Sequence, residues 1–285
     1  MQEYVRKSSW VRPSGPATSH QRIGAVSYLN TRPLLEGLDD QPQLEVTRAV
    51  PSDLRDMLAG DQVDAALLPA IDLQRFDGDL TVLPAGCIGC AGSVLTVRIF
   101  SQVRPHKIKT LWVDLDSHTS VALAQVIWHY QFKRRLRVIP FSASGTWDIA
   151  EDAQAVLIIG DKVVTQPPIG FDFQYDLGRL WFEMTGLPFV FAVWAANEGA
   201  DHEELYRVLS AARRGGQANI DEIARKYAPL HSWPQDIAQK YLGQCLNFDF
   251  TDAHREGMEE FFQLAADIGV IPQLRKVQYY TPDGR

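Results

Sequence analysis

Residues 22–38 read RIGAVSYLNTRPLLEGL, and this stretch indicates the fold class of the chain. Its first half is a short β-rich run, and its second half has the signals of a helix start, because Asn30 can cap a helix and Pro33 suits a first turn. Residues 44–50 (LEVTRAV) alternate like a strand, and residues 64–69 (DAALLP) form the continuous apolar run of a buried parallel strand. This alternation of strands and helices predicts an α/β protein with a parallel sheet.

A second α/β set follows the first. Further strands are predicted at residues 93–101, 109–115, 136–141, 155–160 and 189–196, and mostly helical chain follows from residue 201. Two sets predict two lobes with a ligand cleft between them, joined near the connector SQVRPHKIK (residues 101–109) and the run FVFAVWAA (residues 189–196). We therefore predict residues 1–21 as a disordered leader, residues 22–103 plus 192–285 as a discontinuous first lobe, and residues 104–191 as the second lobe.

The composition is that of an ordinary globular protein. The chain has 285 residues, 46% of them hydrophobic, and its 28 Lys and Arg against 35 Asp and Glu leave a net charge of −7. A net-acidic chain lacks the basic face on which general nucleic-acid binding depends, so we predict no nucleic-acid partner. No stretch approaches the roughly 20 apolar residues of a membrane span, and no secretory signal is recognisable. We predict a soluble, cytoplasmic protein with no membrane partner; its oligomeric state stays open.

The cysteines and histidines form no pattern that predicts a metal site. Cys87 and Cys90 stand in a CIGC stretch, but structural zinc needs four ligands and only Cys245 remains as a third thiol. A redox pair would open a helix, whereas this pair precedes a predicted strand in a Gly-rich turn. The seven histidines are scattered, and no P-loop, G-x-S-x-G, H-E-x-x-H or G-x-G-x-x-G pattern is present in the sequence.

Several polar residues stand where a parallel sheet presents ligand-binding groups. Asn30 lies between a strand end and a helix start, which faces the crevice in open α/β sheets, but it can equally serve as a plain helix cap. Residues 117–120 (SHTS) occupy the same kind of position, where hydroxyls and free N–H groups either bind a carboxylate or phosphate or form an ordinary cap. Thr96, on a predicted strand, is a structural residue unless a ligand reaches it, and Arg32 is either a carboxylate partner or a solvated residue. The residues alone predict a two-lobed protein with an anion-binding cleft.

The opening stretch resembles the MqnA family, the chorismate dehydratases of the futalosine route to menaquinone. Matching segments follow in the family's order: DQVDAALLPAIDL (61–73), GCAGSVLTVRIFS (89–101), LWVDLDSHTSVALAQV (111–126), AVLIIGD (155–161) and DLGRLWFEMTGLPFVFAVW (176–194). The resemblance covers nearly all of the chain after the predicted leader. It implies a fold like that of the type II periplasmic binding proteins, with two α/β lobes joined by a double crossover.

The resemblance also implies a hydro-lyase that removes water from chorismate to give 3-[(1-carboxyvinyl)oxy]benzoate, the first step of the futalosine pathway, with no metal and no organic cofactor. It assigns catalysis to Asn30 and Thr96, and binding of the substrate to Ser27, Tyr28, Arg32, Ser117, Thr119 and Ser120. Thr96 stands where the family often has Ser, and SHTS stands where S-R-T-S is more usual, so we expect His118 to hold a carboxylate only weakly at neutral pH. Since no side-chain base stands in a matching motif, we hypothesise that one of the substrate's own carboxylates takes the proton.

The main alternative is a non-catalytic small-anion binding protein or sensor of the same fold, because one fold hosts both functions. The SYLN and TGLPFVFAVW stretches favour the enzyme. A later lyase of the same pathway shares the implied fold, but its Ser/Pro/Asn-Asp-rich turn does not stand at residues 27–32.

Overall fold

The chain folds into two β-sheets with helices packed around them. The computed structural model describes residues 20–114, 117–141 and 153–282. The strands are β1 (Gln21–Ala25), β2 (Leu44–Arg48), β3 (Ala65–Pro69), β4 (Leu80–Cys90), β5 (Val97–Ser101), β6 (Thr110–Asp114), β7 (Arg137–Phe141), β8 (Ala155–Ile159), β9 (Phe173–Asp176), β10 (Phe189–Asn197) and β11 (Gln278–Tyr279). The α-helices are α1 (Pro51–Ala59), α2 (His118–Tyr130), α3 (Lys162–Thr165), α4 (Leu177–Thr185), α5 (His202–Ala218), α6 (Ile220–Tyr227), α7 (Gln235–Lys240) and α8 (Asp252–Asp267).

Short helical turns complete the secondary structure of the described residues. Turns of the 3₁₀ type span Leu29–Leu34, Ala70–Gln74, Pro105–Lys107 and Pro229–His231, and a π-helical turn spans Tyr241–Cys245. The Leu29–Leu34 turn replaces the longer helix that the opening stretch predicts, and Pro33 lies inside it. The remaining strand predictions from the opening stretch to residue 69 are confirmed within a few residues.

Each sheet forms the centre of one lobe. The first sheet has the strand order β11-β4-β10-β3-β1-β2, with β1 parallel to β2 and β3, and β10 antiparallel to β3 and β4. The second has the order β7-β6-β8-β5-β9, with β6 parallel to β7 and β8, and β5 antiparallel to β8 and β9. The carboxyl end of β1 in the first sheet precedes the turn that carries Asn30, and the carboxyl end of β6 in the second sheet precedes residues 117–120.

The two chain crossings lie elsewhere than the sequence predicts. β5 pairs with β8 and β9, so the connector at residues 101–109 joins two strands of the second sheet, and the first crossing lies at residues 91–96. β10 pairs with β4 from its first residue and with β3 from Ala192, so the second crossing precedes Phe189. The predicted lobe boundaries at 103 and 192 are therefore wrong by several residues, because a strand's pairing partners, not its own pattern, decide its sheet.

The C-terminal helices pack on the first lobe, as predicted. α5 contacts β4 and the Leu29–Leu34 turn, and α6 contacts the same turn. α8 packs against β10 and α2, and its Phe261 meets Trp181 of α4 and Phe189 edge-on, with ring centroids 6.1 and 5.0 Å away. One apolar core therefore connects helices from both lobes.

Two further sequence expectations concern the cysteines and the N-terminus. Cys87 and Cys90 lie within β4 with buried thiols, not in a turn, and burial raises the pKa of both. The predicted leader lies outside the described residues except for positions 20 and 21, and Gln21 already belongs to β1.

Candidate active site

A cavity with an empty volume of about 730 Å³, open mouth included, lies between the two lobes. Its apolar lining residues are Val26, Pro51, Leu67, Pro69, Ile88, Val94, Val97, Ile159, Phe191 and Ala192. Its polar lining residues are Tyr28, Asn30, Thr96, Ser117, His118, Thr119, Ser120 and Tyr241. Apolar walls with a few convergent polar groups are typical of a small-molecule site.

Asn30 enters the cavity from the Leu29–Leu34 turn of the first lobe. It does not cap this turn: Tyr28 holds the cap position, and Thr31 instead donates from its hydroxyl to the carbonyl of Val26 at 2.9 Å. The Asn30 amide nitrogen donates to the hydroxyl of Tyr241 at 3.3 Å, while its Oδ1 is buried without a partner among the described residues. Because a buried acceptor without a donor is unfavourable, this oxygen is suited to a ligand hydroxyl.

Thr96 lies in the first crossing, directly before β5, and not on a strand as predicted. Its neighbour Leu95 has φ +72°, a left-handed conformation that is uncommon for leucine. The Asp176 carboxylate stabilises this bend by accepting from the N–H groups of Val94 and Leu95, at 3.0 and 2.8 Å. Strained backbone held by surrounding hydrogen bonds is a recurrent feature of functional sites, and here it presents Thr96 to the cavity.

Tyr241 connects these two residues across the cleft. Its hydroxyl lies 2.8 Å from Oγ1 of Thr96, and its ring stacks on Trp233 with centroids 5.0 Å apart. The side chain is 1% exposed, and this burial raises the pKa of the phenol, which stays protonated at neutral pH.

The N-terminus of α2 brings polar groups to the cavity from the second lobe. Ser117 occupies the cap position, but its side chain makes no cap hydrogen bond, and its hydroxyl is buried without a partner among the described residues. The Thr119 hydroxyl accepts from the Ile71 N–H and donates to the Phe191 carbonyl, both at 3.3 Å, so it ties α2 to the first lobe. Ser120 is also buried in the cavity wall. The free N–H groups of this first turn and the Ser117 hydroxyl suit a carboxylate.

His118 is held by a carboxylate that the sequence analysis missed. Its Nδ1 lies 3.0 and 3.2 Å from the two oxygens of Asp72, which has no exposed surface. No Lys or Arg of the described residues lines the cavity, so His118 is the basic side chain in that lining.

Two predicted binding residues are not brought to the cavity. Ser27 is exposed and lies outside the lining, and the guanidinium of Arg32 lies 4.4 Å from the ring centre of Tyr227, where it is held by a cation–π contact. Of the eight predicted site residues, six line the cavity together: Tyr28, Asn30, Thr96, Ser117, Thr119 and Ser120.

Reasoning from the sequence missed Tyr241, Asp72 and Asp176 as parts of this site. Asp176 opens one of the segments that resemble the family, which was a usable signal. Tyr241 had none, because it stands 211 residues from Asn30 and 145 from Thr96.

The two lobes with a cleft between them define the class of fold, which is periplasmic-binding-protein-like. The protein AF1704 from Archaeoglobus fulgidus is similar with a TM-score of 0.70 at 16% identity, over 89% of this chain and 99% of that one. The alkanesulfonate-binding protein SsuA from Xanthomonas axonopodis pv. citri is similar with a TM-score of 0.60 at 11% identity, over 90% of this chain and 95% of that one. Both similarities concern the fold.

The sequence comparisons are more specific. The menaquinone biosynthesis family model matches residues 21–267, and the chain belongs to this family. The chorismate dehydratase of Thermus thermophilus is 26% identical over 266 residues, which cover 84% of this chain and 93% of the relative.

Neither a membrane-spanning helix nor a metal site is found among the described residues. None of their helices is long and apolar enough to cross a membrane. No group of three or more His, Cys, Asp or Glu side chains among them is arranged to hold a metal ion.

Proposed function

We propose that this protein is a chorismate dehydratase, which converts chorismate to 3-[(1-carboxyvinyl)oxy]benzoate and water without a metal or organic cofactor. Its membership of the menaquinone biosynthesis family and its similarity to a chorismate dehydratase support this proposal. The cytoplasmic location stays a prediction from the sequence.

The observation that carries the proposal is the convergence of three kinds of group on one cavity. Apolar walls, including Leu67 and Phe191, suit the carbocyclic ring of chorismate. The N-terminus of α2 with the Ser117 hydroxyl suits one of its carboxylates. We assign Asn30 and Thr96, which line the cavity and both contact the Tyr241 hydroxyl, to the reacting part of the ring.

The reaction itself needs little chemical assistance. The C3–H bond breaks and its electron pair enters the ring, the C4–O bond breaks with its pair going to oxygen, and the leaving hydroxide combines with a proton to form water. Since the product ring is aromatic, the driving force lies in the substrate. The protein orients the ring, holds the carboxylates and stabilises the departing oxygen, while a substrate carboxylate takes the C3 proton.

Incubation of the purified protein with chorismate, followed by chromatography of the products, tests the proposal. We expect conversion to the enolpyruvyl benzoate, and a loss of about a hundredfold or more in kcat for Asn30→Ala. Ser27→Ala is the matched control, because Ser27 is exposed and outside the cavity. Full turnover by Asn30→Ala contradicts the role of Asn30. Binding of chorismate without product favours the alternative of a binding protein.

A further inference from the structure

The site contains a hydrogen-bond chain whose direction can be worked out. The Asn30 amide nitrogen donates to the Tyr241 oxygen at 3.3 Å, and the same oxygen lies 2.8 Å from Oγ1 of Thr96. A phenol has one proton to donate. Either oxygen of the Tyr241–Thr96 pair can donate. Since the amide already donates to the phenol oxygen, and a buried phenol proton needs an acceptor, we assign that proton to Oγ1 of Thr96.

This direction of the hydrogen-bond chain determines which donor or acceptor Asn30 and Thr96 present to a ligand. Thr96 receives the phenol proton, so its own hydroxyl proton is left for the cavity that it lines. Asn30 uses its nitrogen toward Tyr241, so its buried and unpartnered Oδ1 is left as an acceptor. The site therefore offers one acceptor from Asn30 and one donor from Thr96.

We propose that Tyr241 is a positioning residue that imposes this arrangement, an inference that rests on the proposed function. A ligand hydroxyl is the group that satisfies both sides, because it donates to Oδ1 of Asn30 and accepts from the Thr96 hydroxyl. The hydroxyl that chorismate loses fits this description. A hydrogen bond from Thr96 to its oxygen stabilises the charge that develops there as the C4–O bond breaks.

The surroundings of Tyr241 agree with a positioning role. It begins a π-helical turn, a rare geometry that is frequent at functional sites, and its ring is held by stacking on Trp233. The hydroxyl, not the ring, makes the contacts to Asn30 and Thr96. Removal of the hydroxyl therefore separates its effect on the reaction from the packing of the ring.

The test is the variant Tyr241→Phe, assayed with chorismate beside the wild type. We expect kcat to fall about tenfold to a hundredfold, with KM changed less than about threefold, because substrate contacts remain while the two side chains lose their orientation. Tyr130→Phe, which removes the hydroxyl of a tyrosine at the far end of α2, is the matched control and should keep wild-type kcat. A merely structural role would lower the unfolding midpoint instead of kcat.

A double-mutant cycle with Thr96→Val tests whether Tyr241 acts through Thr96. We expect Tyr241→Phe to have little further effect on kcat in the Thr96→Val background, whereas additive losses overturn the inference.

If Tyr241→Phe does not fold, Asn30→Asp provides the second test. The carboxylate at position 30 accepts a hydrogen bond from the phenol, which reverses the direction of the hydrogen-bond chain. Wild-type kcat in that variant also overturns the inference. No product with the wild type overturns the proposed function and this inference together, whereas an active wild type with a fully active Tyr241→Phe overturns this inference alone.

Discussion

Asp72 is a carboxylate with no exposed surface, and His118 is the partner of its two oxygens. No other side chain of the described residues donates to this carboxylate. Removal of a charge from water is unfavourable by several kcal/mol unless a partner compensates it. His118, which stands where the family more often has arginine, therefore has a structural partner in Asp72 and also lines the cavity.

We expect His118→Leu to lower the free energy of unfolding by roughly 2–3 kcal/mol, less than a fully buried pair because the His118 side chain is 27% exposed. The double variant Asp72→Leu, His118→Leu should recover most of this loss, because no unpaired carboxylate is left. Urea unfolding of the three proteins measures both values. Equal stability of the single variant and the wild type would contradict the pairing.

At the scale of elements, close packing of α5 positions the turn that carries Asn30. Gly216 of α5 lies against the backbone of Pro33, and a methyl group added to it would overlap the Pro33 carbonyl oxygen. Its neighbour Gly215 has room, since an added methyl group would have Cγ of Glu36 as its nearest neighbour, at 3.9 Å. Of these two adjacent glycines of one helix, packing therefore requires a glycine only at position 216.

We predict that Gly216→Ala lowers the free energy of unfolding by about 1–3 kcal/mol and also lowers kcat, because the helix must move away from the turn. Gly215→Ala is the control and should be neutral or stabilising by up to about 1 kcal/mol, as expected for alanine in a helix. Thermal unfolding measures the stability of both variants, and the chorismate assay measures their kcat. Equal behaviour of the two variants would show that the turn does not depend on this contact.

His254, at the start of α8, makes the stability of the folded protein depend on pH. Thr251 and His254 form its capping box, in which Nδ1 of His254 accepts from the Thr251 N–H at 3.4 Å, while its Nε2 is buried without a partner among the described residues. Burial lowers the pKa of His254. Below about pH 6.5 the unfolded chain therefore binds a proton here that the folded protein does not, so stability is complete above that pH and is lost as the pH falls.

We expect this group to remove about 1 kcal/mol of stability between pH 7.5 and pH 5.5. His254→Gln keeps a side chain suited to the capping box and removes the titration, so its stability should fall less over the same range. Urea unfolding at several pH values compares the two proteins. Parallel pH curves would assign the effect to other histidines.

At the scale of the whole molecule, polar contacts hold the two lobes together around the cleft. Asp161 follows β8 of the second sheet, and its Oδ2 lies 2.9 Å from Nδ1 of His231, which lies in a turn after α6 of the first lobe. Burial raises the pKa of the Asp161 carboxyl, although His231 opposes this shift. The Asp161–His231 pair therefore favours the arrangement of the lobes that the structure shows.

We predict that His231→Ala raises KM for chorismate about threefold to tenfold and leaves kcat nearly unchanged, because open molecules must close before the substrate is held. Steady-state kinetics measure both constants. Arg207→Ala is the control, since its ion pair with Glu204 lies on the exposed surface of α5. An unchanged KM in His231→Ala would contradict a role of this pair in closure.

The local pattern of residues was sufficient for most strands, because apolar periodicity acts over a few residues. It was also sufficient to select Asn30 and residues 117–120, which stand at strand-to-helix turns. It failed for the lobe boundaries, for the helix cap at Asn30, for the strand at Thr96, and for Ser27 and Arg32. In all of these cases except Ser27 a partner distant in sequence is decisive: β8 and β9 for β5, Tyr241 for Asn30, Asp176 for the bend at Leu95, and Tyr227 for Arg32.

Periodicity, capping and motif order in the chain therefore account for the two-lobed α/β class and for the family. The hydrogen-bond partners within the cleft depend on contacts between residues that are up to 211 positions apart. Such contacts leave no local signature, because packing of the complete molecule, rather than the preference of any one segment, determines which side chains meet.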